Sequence, residues 1–249
     1  MEKIKRNLNI DLIKSIAILF VLTIHNGDYS YPIGSRVWVE NIFFRSIASP
    51  AVPLFFMCTG VLFLSVKRDK DMINYIFKEK KLLGIIIPMI FWGFMYKLFF
   101  LNKYASITWK GAIQAFKEVL LFNQETHLYY LQITILIYLA MPILSAFVQN
   151  LDREILEYTL LIWFMLGILY PMIGECWPFY LISSIGRQFM INMAYSSIGY
   201  CLLGYYLKEY PLQKSSRFIF MFSGLAIVFF GTMISSINMG NLIHYFLKE

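Results

Sequence analysis

NIDLIKSIAILFVLTIH, residues 9–25, is an apolar stretch of nearly membrane-crossing length that carries three ionisable side chains. A spanning helix needs about 20 mostly apolar residues, and an ionisable group inside one marks a candidate functional site. At about 100° per residue, Lys14 and His25 fall roughly 20° apart around a helix, and Asp11 falls within roughly 40° of His25. All three therefore share one face. Along the axis, Lys14 and His25 are about 16 Å apart. Asp11 and Lys14 stand at i, i+3, a spacing that allows them to pair. The stripe thus carries a charge pair at one depth and an imidazole at another, and neutral histidine is the usual general base near physiological pH. Plainer readings of the same residues are a helix end with a snorkelling lysine and a histidine beside a loop.

The rest of the composition extends this reading. Of the 249 residues, 59% are hydrophobic and 15% charged, against about 45–50% and about 25% in soluble domains. The mean hydropathy is +0.61, and 18% of residues are aromatic. These values exclude a disordered chain, a coiled coil and an ordinary soluble enzyme. Cys58, Cys176 and Cys201 lie in apolar surroundings, and their spacing suits neither a disulfide framework nor a metal site.

Seven stretches have the length and apolarity of spans: 9–26, 42–65, 82–101, 128–148, 155–173, 190–207 and 217–236. The expected fold is all-α, a polytopic transmembrane helix bundle forming one membrane domain over 1–249. The first stretch runs into a polar loop without a small-residue cleavage site, so it reads as a span and not as a cleaved signal. With the N-terminus in the cytoplasm, most of the 22 lysines and arginines fall on the inner side, including Lys3, Lys5, Arg6, Lys14, Lys78, Lys80, Lys81 and Lys208. The net charge of +7 is then explained by topology and anionic lipid, with no need for nucleic acid.

Two outer segments stand apart from the spans. WKGAIQAFKEVLLF (109–122) has helical periodicity with lysines on one side, as in an interfacial helix. Residues 174–189 hold Trp177, Phe179, Tyr180 and Arg187, suited to the membrane interface or to a simple loop. Arg45 lies one turn into the second stretch, and Lys97 near the outer end of the third reads as a snorkelling anchor. Glu125, His127 and Tyr130 open the fourth stretch and could line an outer site. Ser196 and Ser197 add polar contacts of the kind that often only join helices.

Five segments, in order, resemble the membrane acyltransferase family 3, transmembrane enzymes that O-acylate cell-surface glycans and lipids. NIDLIKSIAILFVLTIH (9–25) places Asp11, Lys14, Ala17 and His25 in the register of that family's first helix. VPLFFMCTGVLFL (52–64), KEKKLLGIIIPMIFW (78–92), HLYYLQITILIYLAMPIL (127–144) and YSSIGYCLLGYYL (195–207) are similar to its later motifs. Lys14 stands where arginine is usual, losing a planar bidentate donor. Tyr129 stands where tryptophan is usual, and Gly84 where a further basic residue is common. The chain is shorter than the usual member and lacks the late Y-L-x-H segment, as for a short or C-terminally incomplete member.

The resemblance implies acyl transfer from cytoplasmic acyl-CoA, often acetyl-CoA, to a hydroxyl of a carbohydrate or lipid-linked acceptor at the cell membrane. Acyl-CoA is then a substrate, and no bound cofactor or metal is implied. Lys14, Lys78, Lys80 and Lys81 would hold the CoA phosphates as point charges. His25 would deprotonate the acceptor or carry the acyl group. Asp11 would position Lys14, and Arg45 would face the developing oxyanion. Two other readings share these residues: a transporter-like domain for serine or an exopolysaccharide, and a non-enzymatic membrane subunit. A donor site for CoA separates the enzyme from both.

Overall fold

The structure is a computed structural model that describes residues 7–26, 31–65, 71–77, 80–104, 106–123, 128–173 and 192–246. These residues form helices and short turns, with no strand among them. The helices are α1 (Leu8–His25), α2 (Arg36–Ala48), α3 (Ala51–Leu64), α4 (Asp71–Phe77), α5 (Leu83–Tyr104) and α6 (Trp109–Leu120). They continue with α7 (Tyr129–Gln149), α8 (Arg153–Trp163), a π-helical turn (Phe164–Leu169), α9 (Tyr170–Ile173), α10 (Met193–Glu209) and α11 (Lys214–Phe246). Two units emerge from the contacts, Met1–Thr59 with Tyr206–Glu249, and Gly60–Tyr205.

In the first unit, α1 packs on α2, and α2 packs on α11. Asn7 caps α1, its side chain accepting from the Asn9 amide at 3.1 Å. The covered positions of α1 are Ile10, Asp11, Lys14, Ala17, Phe20, Val21 and Ile24. They make one broad stripe, the pattern of the covered face of an amphipathic helix. Outside the stripe, Ser15 and Thr23 return their hydroxyls to the carbonyls of Asp11 and Leu19, at 2.9 and 3.0 Å. That leaves no hydroxyl donor unmet on the lipid side. Trp38 Nε1 of α2 donates to Ser236 Oγ of α11 at 3.2 Å, and Phe43 meets Phe229 edge-on at 6.2 Å. Advancing along α2 thus means retreating along α11, so the two run antiparallel.

α2 and α3 are separated only at Ser49–Pro50. Pro50 has no N–H for the carbonyl of Ser46. The Ser49 hydroxyl supplies the missing donor at 2.8 Å. The break therefore does not leave that carbonyl bare, a requirement inside a bilayer.

In the second unit, α5 packs on α6 and α7, and α4 packs on α7. α7 buries Thr134, Ile137, Met141, Ser145 and Val148, again a stripe of three- and four-residue steps. Phe63 sits between Tyr75 of α4 and Tyr138 of α7, with ring centroids 5.7 and 4.9 Å away. The π turn aims Gly167 at α10. The Ser196 hydroxyl donates to the Gly167 carbonyl at 2.9 Å, and Trp163 Nε1 donates to the Ser196 carbonyl at 3.1 Å. Trp163 also meets Tyr200 edge-on at 5.0 Å. Gly199 lies under the Trp163 indole, where a Cβ would overlap the ring.

Among the described residues, five helical stretches are long and apolar enough to cross a membrane: Leu8–His25, Arg36–Leu64, Leu83–Tyr104, Tyr129–Gln149 and Lys214–Ile237. The sequence led us to expect seven. The stretch 155–173 is divided, because α8 has 11 residues before the π turn interrupts it. The stretch 190–207 yields the 17-residue α10, which begins at Met193. The second span starts earlier than expected, at Arg36 instead of 42. None of the Lys214–Ile237 window is buried, and Phe218, Ile219, Phe220, Met221 and Phe222 are exposed in an unbroken run. Such a surface would aggregate in water and is suited to lipid. The aromatic segment 174–189 lies outside the described residues.

Candidate functional site

Asp11 and Lys14 are half-buried on α1, Ala17 is fully buried, and His25 is exposed at the last residue of the helix. Lys14 belongs to the packed stripe itself. Lys14 lies within electrostatic range of the buried Cys58 of α3. Cys58 belongs to the segment VPLFFMCTGVLFL, so the first and second sequence motifs are neighbours in the first unit. His25 lies about 16 Å further along the same helix than Lys14. The two cannot act on one atom, and any joint task needs a molecule long enough to span them.

Arg45 is half-buried in the last turn of α2. It stands nine residues beyond Arg36, or about 14 Å along the axis, and not one turn into its helix as the sequence led us to expect. The helix starts well before the apolar stretch does, because Ser35 caps it by accepting from the Trp38 amide at 3.2 Å. A guanidinium at this C-terminal turn also suits the helix dipole. α2 packs directly on α1, so the helices that carry Asp11, Lys14, His25 and Arg45 are adjacent.

Lys80, Lys81 and Tyr130 belong to the second unit. Lys80 is exposed, with φ 55°, in the turn between α4 and α5. Its amide bonds the Phe77 carbonyl at 3.3 Å, and the Leu82 amide returns to the Ile76 carbonyl at 3.4 Å. Lys81 is exposed and its Nζ lies 5.3 Å from the centroid of the Tyr75 ring. Tyr130 is half-buried in the first turn of α7, and its carbonyl accepts from the Thr134 hydroxyl at 2.7 Å. Lys78, Glu125 and His127 lie outside the described residues. Among the described residues, no group of three or more His, Cys, Asp or Glu could hold a metal ion.

Sequence reasoning missed two features. Lys97, read as a lipid anchor, instead bonds Glu118 at 2.7 Å and ties α5 to α6. The second is the Trp163–Ser196–Gly199 joint, which borders a groove of about 440 Å³ lined by residues such as Phe147, Tyr158, Tyr195 and Leu202. Its only traces in the sequence were Ser196 and Gly199 of the YSSIGYCLLGYYL segment, without the Trp163 they meet.

The Lys97 ammonium, with the Gln114 amide, holds the Glu118 carboxyl below its ordinary range. A carboxyl lowered in the folded state favours docking of α6 above the ordinary glutamate range, and the contribution disappears as pH falls through the lowered value. We expect hydrogen exchange at α6 amides to speed up relative to the rest of the chain as pH falls through that window. Glu118→Gln should remove the pH dependence and weaken docking by up to about 1 kcal/mol. An identical α6 profile in the two proteins would show that the bridge does not hold the helix.

Long apolar helices with largely unburied surfaces, one of them bearing a polar stripe, define a polytopic helical membrane protein. The chain belongs to acyltransferase family 3: the family model described as an acyltransferase domain matches residues 7–248. It is accordingly a membrane acyltransferase. Comparison with curated proteins and with solved structures gives no match.

Proposed function

We propose that the protein transfers an acyl group, most simply acetyl, from cytoplasmic acyl-CoA to a hydroxyl of a cell-surface carbohydrate or lipid-linked acceptor, and that it works in the plasma membrane with its N-terminus cytoplasmic. The observation that carries this reading is the α1 stripe, a half-buried lysine and an exposed histidine on one helix of an acyltransferase domain. The acceptor oxygen attacks the thioester carbonyl while the His25 imidazole takes its proton. The C–O bond forms, the C–S bond breaks, and CoA leaves as a thiolate that is then protonated. Lys14 binds a phosphate of the donor as a point charge, with Asp11 holding the lysine in place. Lys78, Lys80 and Lys81 draw the same polyanion to the cytoplasmic face. Arg45 stabilises the negative charge that develops on the carbonyl oxygen. Glu125, His127 and Tyr130 contact the acceptor.

Purified protein in liposomes, incubated with labelled acetyl-CoA and a crude glycan or lipid-linked acceptor fraction, should bind and transfer label. Lys14→Ala should raise the KM for acetyl-CoA more than it lowers kcat. Absence of bound or transferred label would favour transport or a scaffold role instead.

A further inference from the structure

α6 divides into three faces. Ala115 and Val119 are buried, and Phe116 at the edge of that face meets Phe94 of α5 at 5.6 Å. On the next sector, Trp109, Ile113, Phe116 and Leu120 form a stripe at steps of four, three and four residues, with exposures of 81%, 41%, 43% and 50%. Lys110 and Lys117 are exposed along the far edge of that stripe, two turns apart. A helix that packs sideways on its own chain, with an apolar stripe below and lysines along the rim, has the form of an interfacial helix. The stripe adjoins an apolar surface of the spanning α5, where Phe91 and Ile87, one and two turns before Phe94 on the same side of that helix, are exposed.

We propose that α6 is a docking surface for acidic phospholipid: Trp109, Ile113, Phe116 and Leu120 enter the headgroup–acyl boundary while Lys110 and Lys117 engage lipid phosphates. The Lys97–Glu118 bridge fixes which way the stripe points, because Glu118 lies on the side of α6 turned away from the stripe. The end of the helix is fixed as well. Phe122 adopts φ 61°, the Asn123 amide bonds the Glu118 carbonyl at 2.9 Å, and Gln132 of α7 donates to the Phe122 carbonyl at 3.1 Å. That closure resists rotation of α6 about its axis, so the apolar sector is presented to lipid and the lysines to headgroups.

The test uses the full chain in phosphatidylcholine vesicles containing phosphatidylglycerol, with bromine on the acyl chains of one lipid or the other. The protein has five tryptophans, so the Trp109 signal is the difference between wild type and Trp109→Phe. That difference should be quenched by brominated chains and hardly at all by aqueous iodide. Quenching should be stronger with brominated phosphatidylglycerol, by roughly fivefold in local enrichment per lysine. Lys110→Gln with Lys117→Gln should equalise the two lipids while leaving chain quenching intact. A Trp109 signal quenched by iodide alone would overturn the docking surface, and equal quenching by the two lipids in wild type would overturn the acidic partner.

Discussion

His25→Ala is expected to remove acyl transfer almost completely, by about 10²- to 10⁴-fold in kcat, the range a general base contributes. The side chain is exposed at the last residue of α1. Its removal therefore leaves the packing of α1 on α2 intact. The variant should insert into membranes and melt in detergent like the wild type, while labelled acetyl-CoA gives no product. Donor binding, measured separately, should persist, because Lys14, which would bind a donor phosphate, is about 16 Å away along the helix. Undiminished acetylation by His25→Ala would end the assignment of His25 as base.

The second large effect concerns folding. A Cβ added at Gly60 of α3 would overlap the backbone carbonyl of Cys201 on α10. The obstacle is main chain at a buried residue, so relief requires two helices to separate. Overpacking of this kind costs about 1–3 kcal/mol, and Gly60→Ala should fall at the upper end, because no side chain can rotate away. Close approach through a small residue is also how helices associate in lipid, where burial of apolar surface contributes little. Gly84 in the first turn of α5 is the matched control, since nothing lies within 4 Å of the position its Cβ would occupy. Gly84→Ala should be neutral or slightly stabilising in thermal unfolding in detergent. Equal melting of the two variants would show that the α3–α10 approach is looser than the structure indicates.

The helices were legible because hydrophobic length and 3.6-residue periodicity are local properties. Residues 9–25 gave α1 nearly to the residue, and the shared face of Asp11, Lys14 and His25 followed from helix geometry alone. The segment 109–122 gave α6 for the same reason. Residue types misled where a local feature could be met by a distant partner. Lys97 at a span end resembles a snorkelling lysine until Glu118, 21 residues on, is seen beside it. Arg45 was placed too near a helix start, because an apolar stretch and a helix need not begin together. The stretch 155–173 looked like an uninterrupted span, since a π turn leaves composition unchanged and alters only which way side chains point.

By itself the sequence determined a helical membrane protein, a polar stripe on its first helix and the resemblance to acyltransferase family 3, all of which depend on residue type and spacing along one segment. Only the tertiary structure decided that Lys14 comes within electrostatic range of Cys58, that Ser49 bridges the break before Pro50, that Trp163 lodges against Gly199 and that Glu118 holds Lys97. Apart from the break at Pro50, which turns on one hydroxyl finding one carbonyl, these are meetings of residues distant in sequence. They depend on how closely helices approach and at what rotation, and periodicity fixes the buried face of a helix without naming its partner.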